Sequence, residues 1–156
     1  DVGSGLSVFL HAMSKKVNWD IEGIEPDLNF VDFAKKRLKL NVSRATLENN
    51  KSKKKYDIIS LNKVIEHVKD PILFLKRINK MLKKDGYIYI EVPDSDSASQ
   101  TKNGKHREEF YVDHLHVFSL KSLAKCTKYA NFKLLKIDKI FEPSGKFTIY
   151  AFAKKI

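Results

Sequence analysis

The chain has almost none of the residues that build covalent or sulfur-based frameworks. Its 156 residues include one cysteine, Cys126. An internal disulfide and a cysteine-based zinc cluster are therefore both excluded. No apolar run approaches the roughly 20 residues that a membrane-spanning helix needs. The first residues, Asp1-Val2-Gly3-Ser4-Gly5, lack the basic start and apolar middle of a secretory signal. Disorder is excluded by composition, with 42% hydrophobic and 31% charged residues. One domain with its own hydrophobic core, spanning 1–156, is the expectation for this length, and a cytoplasmic enzyme or binding domain is the class that remains.

Arginine is also scarce. The net charge is +11, yet only four of the 30 basic residues are arginine: Arg37, Arg44, Arg77 and Arg107. Dedicated phosphate and nucleic-acid sites favour arginine for its planar fork. A scattered lysine excess reads instead as general surface composition, and the run Lys53-Lys54-Lys55 as a solvated loop. An anionic small molecule remains compatible with the charge.

The chain alternates strand and helix signals. Asp1 to Gly5 reads as the end of a strand turning into a helix over 6–16, and the apolar residues of that strand are missing, so a longer natural chain is expected upstream. A short strand ends at Glu25-Pro26, and Asp27 caps a helix to about Leu40. A short strand is expected within 42–47. Tyr56 to Asn62 is a compact apolar strand. Asp70-Pro71 opens a helix that Lys83-Lys84-Asp85-Gly86 ends. Tyr87 to Val92 is a strand, and Asp94 to Arg107 a polar loop or lid. Ser119 caps a helix to about Tyr129, and two strands follow around Glu142-Pro143-Ser144-Gly145. Such alternation predicts an α/β, doubly wound sheet with ligands at the carboxyl ends of its strands.

The glycine loop Asp1-Val2-Gly3-Ser4-Gly5 sits where a nucleotide loop sits, and Glu25 lies 20 residues past Gly5 at the end of the next strand. A carboxylate there can accept hydrogen bonds from both ribose hydroxyls. A dinucleotide fingerprint needs a third glycine where Val8 stands, which weakens a nicotinamide cofactor. A cofactor with adenosine but no phosphates makes no such demand.

Five blocks carry a family resemblance: the glycine loop, Gly23-Ile24-Glu25-Pro26, Tyr56-Asp57-Ile58-Ile59, Ile65-Glu66-His67-Val68-Lys69-Asp70-Pro71, and Leu82-Lys83-Lys84-Asp85-Gly86-Tyr87-Ile88-Tyr89-Ile90. In this order they resemble class I S-adenosylmethionine-dependent methyltransferases. His114-Leu115-His116-Val117-Phe118-Ser119 with Ser122-Leu123 is similar to the small-molecule branch, which includes sugar, quinone and natural-product methyltransferases. The resemblance implies a Rossmann-like sheet of about seven strands, mostly parallel, with an antiparallel C-terminal strand. It implies S-adenosylmethionine as cofactor, with S-adenosylhomocysteine as product and no metal. Asp1, Gly3, Ser4 and Gly5 would surround the methionine part and Glu25 would hold the ribose. Adenine would lie near Pro26 and Thr46-Leu47, and Leu61 and Asn62 would line the methyl side. Ser7 stands where the family often has a third loop glycine.

The cofactor's sulfonium is already activated, so alignment of the acceptor is the main task. A general base adds to it for some acceptors, and histidine suits neutral pH. His114 and His116 are the candidates, with at most one facing the acceptor because alternate side chains of an extended segment diverge. Glu66-His67 reads as a structural pair that orients its loop, while Tyr111 and Asp113 are lesser acceptor-site candidates. The reaction expected is methyl transfer to a small molecule, and a sugar or nucleotide-sugar would suit the basic surface. Three other readings stay open: an RNA methyltransferase, although no RNA-binding module is visible; a non-catalytic cofactor-binding domain; and a nicotinamide dehydrogenase. The sequence is silent on oligomeric state.

Overall fold

Helix starts give the most direct link from sequence to backbone in the computed structural model, which describes residues 1–156 apart from the side chain of Lys105. Asp27 accepts from the Asn29 and Phe30 backbone N–H groups and begins α2 (Leu28–Lys36). Asp70 accepts from Leu73 N–H and Pro71 takes the first position of α3 (Pro71–Met81), where a missing N–H costs nothing. Ser119 and Ser122 form a reciprocal capping box at α5 (Leu120–Tyr129). α1 (Val8–Lys16) begins later than the periodicity predicts, because Ser7 before it is left-handed at φ 59°.

Contacts group the chain into two compact units, Asp1–Lys53 with Ser60–Asn62, and Lys54–Ile59 with Lys63–Ile156. In the first, β1 (Gly23–Glu25) pairs in parallel with β2 (Val42–Arg44). Leu10, Val31, Ala34 and Val42 form its core, with Ile21 and Leu40 packed against them. The rest of the apolar stripe expected on α1 is exposed at Leu6 and Val8. Val2 makes isolated parallel bridges to Ile24 and to Leu61.

The second unit carries a sheet of order β3-β4-β6-β5, formed by β3 (Tyr56–Asn62), β4 (Leu82–Pro93), β5 (Phe132–Phe141) and β6 (Phe147–Lys155). β6 runs antiparallel to both β4 and β5, from Tyr87↔Lys154 to Pro93↔Thr148 on one side and from Phe132↔Lys155 to Phe141↔Phe147 on the other. Alternate residues Ile88, Ile90 and Val92 of β4, and Ile149, Ala151 and Ala153 of β6, are buried, as a pleated sheet with one packed face requires. Phe74, Leu75 and Ile78 of α3 and Leu123 of α5 complete this core. Cys126 is a buried packing residue whose thiol is pushed up by burial.

Three expectations need correction. Among the described residues six strands form, in sheets of two and four, rather than about seven in one sheet. The seventh has a physical remnant: Val2 alone bridges both Ile24 and Leu61, too short a stretch for a ladder. Lys83 to Gly86 do not end a helix but open β4, where Asp85 takes φ 62° and pairs with Lys154 at 2.9 Å. The polar stretch after Pro93 is ordered into α4 (Ser95–Ser99) and two 3-10 turns, Gly104–His106 and Glu108–Phe110. Asp94 explains the order. It is 1% exposed, caps α4 and meets Lys139 at 2.8 Å. Burial raises its carboxyl, but Lys139 and the Ser97 groups outweigh that and hold it low.

Candidate functional site

In the first unit, two glycines release the backbone where the loop turns. Gly3 has φ 68° and Gly5 φ 50°, and a Cβ at Gly5 would meet nothing within 4 Å. Gly3 N–H donates to Ile24 O at 2.9 Å and Ser4 N–H to the same oxygen at 3.2 Å. Gly5 N–H donates to Glu25 Oε2 at 2.8 Å, and Asp27 N–H to Glu25 Oε1 at 3.0 Å. The Glu25 side chain is thus pinned at both oxygens while the residue is only 6% exposed. Each oxygen has a second lone pair. Two adjacent hydroxyl donors are the chemistry this arrangement can still accept.

Asp1 Oδ1 accepts from Ser60 Oγ at 2.9 Å and Asn62 Nδ2 at 3.0 Å, which ties the loop to the end of β3. Ser4 is buried against Ser7, with a 3.4 Å contact between their hydroxyls. Pro26 and Thr46 lie at the surface beyond Glu25, where Thr46 and Asn49 close a turn by reciprocal hydrogen bonds. Leu47 is buried, and Leu61 is completely enclosed. The structure therefore brings Asp1, Gly3, Gly5, Glu25 and Asn62 into one hydrogen-bonded group. Leu61 joins it only through its main chain.

The second unit contains a cavity of about 250 Å³. His114 lines it, whereas His116 does not: its Nε2 faces Lys69 O at 3.3 Å and its N–H donates to Glu66 O. His67 lines the cavity too, its ring 4.8 Å from that of His114 in an edge-on arrangement. His67 Nδ1 lies 3.0 Å from Asp113 O, and His114 Nδ1 lies 3.1 Å from Glu109 O. A carbonyl only accepts, so Nδ1 of each ring carries a proton, and when the ring is neutral Nε2 carries the lone pair.

Glu66 and His67 do meet the main chain around them: the Glu66 carbonyl accepts from His116 N–H, and His67 Nδ1 lies against Asp113 O. The Glu66 carboxylate takes no part in this, since both of its oxygens are buried without a hydrogen-bond partner. The residue is fully buried, and burial pushes its carboxyl up against the opposing influence of His67, Lys63 and His114. An unpaired buried acceptor costs about 1–3 kcal/mol. Ligand atoms of Glu66, His67 and His114 all lie within 4.8 Å of one another, a cluster that no local spacing announces. Tyr111 and Asp113 also line the cavity.

Ion pairs brace the walls. Arg107 donates to both carboxylate oxygens of Glu109 through Nε and Nη2, at 3.1 and 3.0 Å, and its Nη2 also donates to Gly145 O at 2.7 Å. Glu109 also accepts from Phe147 N–H at 3.2 Å. Lys146 meets Glu108 at 3.2 Å. Lys63 meets Glu142 at 3.4 Å and hydrogen-bonds Thr148; burial pushes its ammonium down, and Glu142 opposes this.

Comparison with known proteins agrees with this architecture. Ubiquinone biosynthesis O-methyltransferase of Pelagibacter ubique is 32% identical over 95 residues, covering 58% of this chain and 39% of that relative. The match thus spans well under half of the relative's length. A Thermotoga maritima structure described as an S-adenosylmethionine-dependent methyltransferase, possible histamine N-methyltransferase, superposes with TM-score 0.77 at 22% identity, covering 99% of this chain and 80% of that one. Burkholderia thailandensis 1,6-didemethyltoxoflavin-N1-methyltransferase, solved with its substrate and S-adenosylhomocysteine, gives TM-score 0.75 at 15% identity, covering 99% and 69%. At such identities the structural likeness establishes a Rossmann-like methyltransferase fold. The family model described as "Methyltransferase domain" matches residues 1–137, and with that match the chain belongs to the methyltransferase domain family.

Proposed function

We propose that residues 1–156 act as one S-adenosylmethionine-dependent methyltransferase domain with a small-molecule acceptor. The observation that carries the reading is Glu25, buried beside a glycine loop, pinned by two backbone N–H groups and still able to accept two hydroxyls. The open space at Gly5 leaves room for a ligand against the loop. These residues fit an adenosine-containing cofactor that lacks phosphates. When bound, it would supply a methyl group on a positively charged sulfur. In this reading Glu25 holds the ribose hydroxyls, Asp1, Gly3, Ser4 and Gly5 border the methionine part, and Pro26 with Thr46-Leu47 borders the adenine. Asn62 and the Leu61 main chain border the methyl side.

His114 is the proton acceptor in this scheme, because it lines the cavity and its Nδ1 is held by the Glu109 carbonyl, which leaves Nε2 as the ring nitrogen free to take a proton. His116 has no such role, since Lys69 O takes its Nε2. The acceptor is small: relatives named for ubiquinone biosynthesis and for didemethyltoxoflavin support that scale. A nucleotide-sugar or RNA suits the cavity poorly, because four carboxylates line it against two lysines.

Calorimetric titration of the chain with S-adenosylmethionine, and separately with NAD, tests the reading. Micromolar binding of the first and none of the second is expected. A folded sample that ignores S-adenosylmethionine overturns it.

A further inference from the structure

We propose that the cavity of the second unit receives a protonated amine, so that the methyl acceptor of this chain is a nitrogen rather than a hydroxyl oxygen. The proposal rests on the methyltransferase reading for the fate of the amine, but the recognition chemistry stands on the cavity alone.

Three hydrogen-bond acceptors converge there with no donor among them. Glu66 offers two carboxylate oxygens, both buried and unpartnered. His67 and His114 each spend the Nδ1 proton on a backbone carbonyl and keep an Nε2 lone pair. The lysines of the cavity wall do not fill the need. Lys63 is engaged by Glu142 and Thr148, and Lys146 by Glu108. A hydroxyl brings one donor, whereas a primary ammonium brings three together with a positive charge, and the Glu66 oxygens have no hydrogen-bond donor of their own.

Charge points the same way. In a chain of net charge +11, the cavity is lined by Glu66, Glu108, Glu109 and Asp113 against Lys63 and Lys146. The local excess is negative where the whole is strongly positive, so the cavity selects a cation.

Ligand atoms of the three side chains lie within 4.8 Å of one another. Hydrogen-bond partners of one central nitrogen, each about 2.9 Å away, span up to about 5.8 Å, so an ammonium fits between them. The missing positive charge and the unpartnered oxygens of Glu66 are what favour a cation of this kind, and a zinc titration separates it from a metal.

The chemistry balances. One N–H proton of the bound ammonium passes to His114 Nε2, which frees the nitrogen lone pair. With the cofactor bound, that pair would take the methyl it supplies to form the new N–C bond, and the electrons of the broken methyl–sulfur bond would stay on sulfur as a neutral thioether. The methylated product leaves as an ammonium, and the imidazolium returns its proton to solvent.

Benzylamine and benzyl alcohol, alike but for the nitrogen, provide the test. Each is titrated calorimetrically into the full chain with S-adenosylmethionine present, and S-adenosylmethionine binding is measured on the same sample. Benzylamine should bind at least about tenfold more tightly than benzyl alcohol, and Glu66→Gln should abolish the difference while leaving cofactor affinity unchanged. Equal binding of the two, or no saturable benzylamine binding across the millimolar range, overturns the proposal. The wild-type comparison decides even if Glu66→Gln misfolds. Zinc chloride titrated alone is the third arm: micromolar binding lost in Glu66→Gln and His114→Gln would reassign the cluster to a metal and overturn the amine. Cofactor binding without amine binding refutes this proposal and spares the methyltransferase reading. The reverse result keeps the amine site and refutes its role as methyl acceptor.

Discussion

Glu25→Gln should abolish cofactor binding almost as completely as Glu25→Ala, although glutamine has nearly the same size and shape. Glu25 Oε2 accepts from Gly5 N–H at 2.8 Å and Oε1 from Asp27 N–H at 3.0 Å. An amide satisfies one of those N–H groups with its oxygen and turns its NH2, a donor, against the other. The loss of one well-made bond to a charged acceptor is worth about 1.5–3 kcal/mol, and an unpaired N–H adds to it. The cofactor's two ribose hydroxyls lose the same charged partner. The backbone bonds bear on the fold, whereas the two ribose hydroxyls, at about 1.5–3 kcal/mol each for a charged acceptor, amount to about 3–6 kcal/mol in binding, or a fall in affinity of more than about a hundredfold. The fold should suffer less, by about 1–3 kcal/mol, since neighbouring groups can relax. Isothermal titration with S-adenosylmethionine, read beside thermal unfolding of the same samples, separates the two effects. Should Glu25→Gln bind within about threefold of wild type while remaining folded, the assignment of this carboxylate to the ribose is wrong.

Gly5→Ala should cost only about 1 kcal/mol in stability, the strain of a left-handed alanine, because a Cβ there meets nothing within 4 Å. Its effect on cofactor affinity should be larger than its effect on the melting temperature, and equal small losses in both would argue against a ligand beside the loop. His114→Gln should lower kcat by about 10²–10⁴, whereas His116→Gln should leave it nearly unchanged, as single-turnover assays can check. Glu109→Gln should destabilise the chain by about 2 kcal/mol through loss of the charged Arg107 pair, seen as a lower Tm near neutral pH. For Glu109 burial raises the carboxyl, but Arg107, its own backbone N–H and that of Phe147 prevail and hold it below the ordinary glutamate value. Its contribution is therefore complete above that ordinary value and is lost as pH falls through the depressed one. Melting curves of wild type and Glu109→Gln should converge in acid, and a gap that persists there would contradict the pairing.

The parts of the fold that were legible in sequence are those decided by neighbours along the chain. Asp27, Asp70-Pro71 and Ser119 start helices through bonds to residues two or three positions away, and Tyr56–Asn62 announced itself as a compact apolar strand. The place of Glu25 at the end of β1, beside the glycine loop, was legible because its spacing from Gly5 follows from the strand-loop-helix unit. Lys83 to Gly86 misled because their turn chemistry was overridden by β4, which pairs with β6 from Tyr87 onward, and by the long-range pairs Lys83–Asp57 and Lys154–Asp85. The cavity was hidden for the same reason. His67 meets the Asp113 carbonyl 46 residues away, and Arg107 meets the Gly145 carbonyl 38 residues away. Residue type suggested His114, but only the folded chain distinguishes it from His116, whose Nε2 faces a carbonyl instead of the cavity.

The bonds that tie the glycine loop to β3 carry a consequence for synthesis. Asp1 reaches Ser60 across 59 positions and Asn62 across 61, and Val2 bridges Leu61. A ribosome adds about 5–20 residues each second, so these first residues wait about 3–12 s before their partners exist. Closing a loop of that length is a late and slow event compared with forming the local helices. During the interval the nascent loop has unpaired backbone groups that a chaperone can bind. Synonymous codons that slow translation just after residue 62 would give the loop time to close on β3 before the later strands are made.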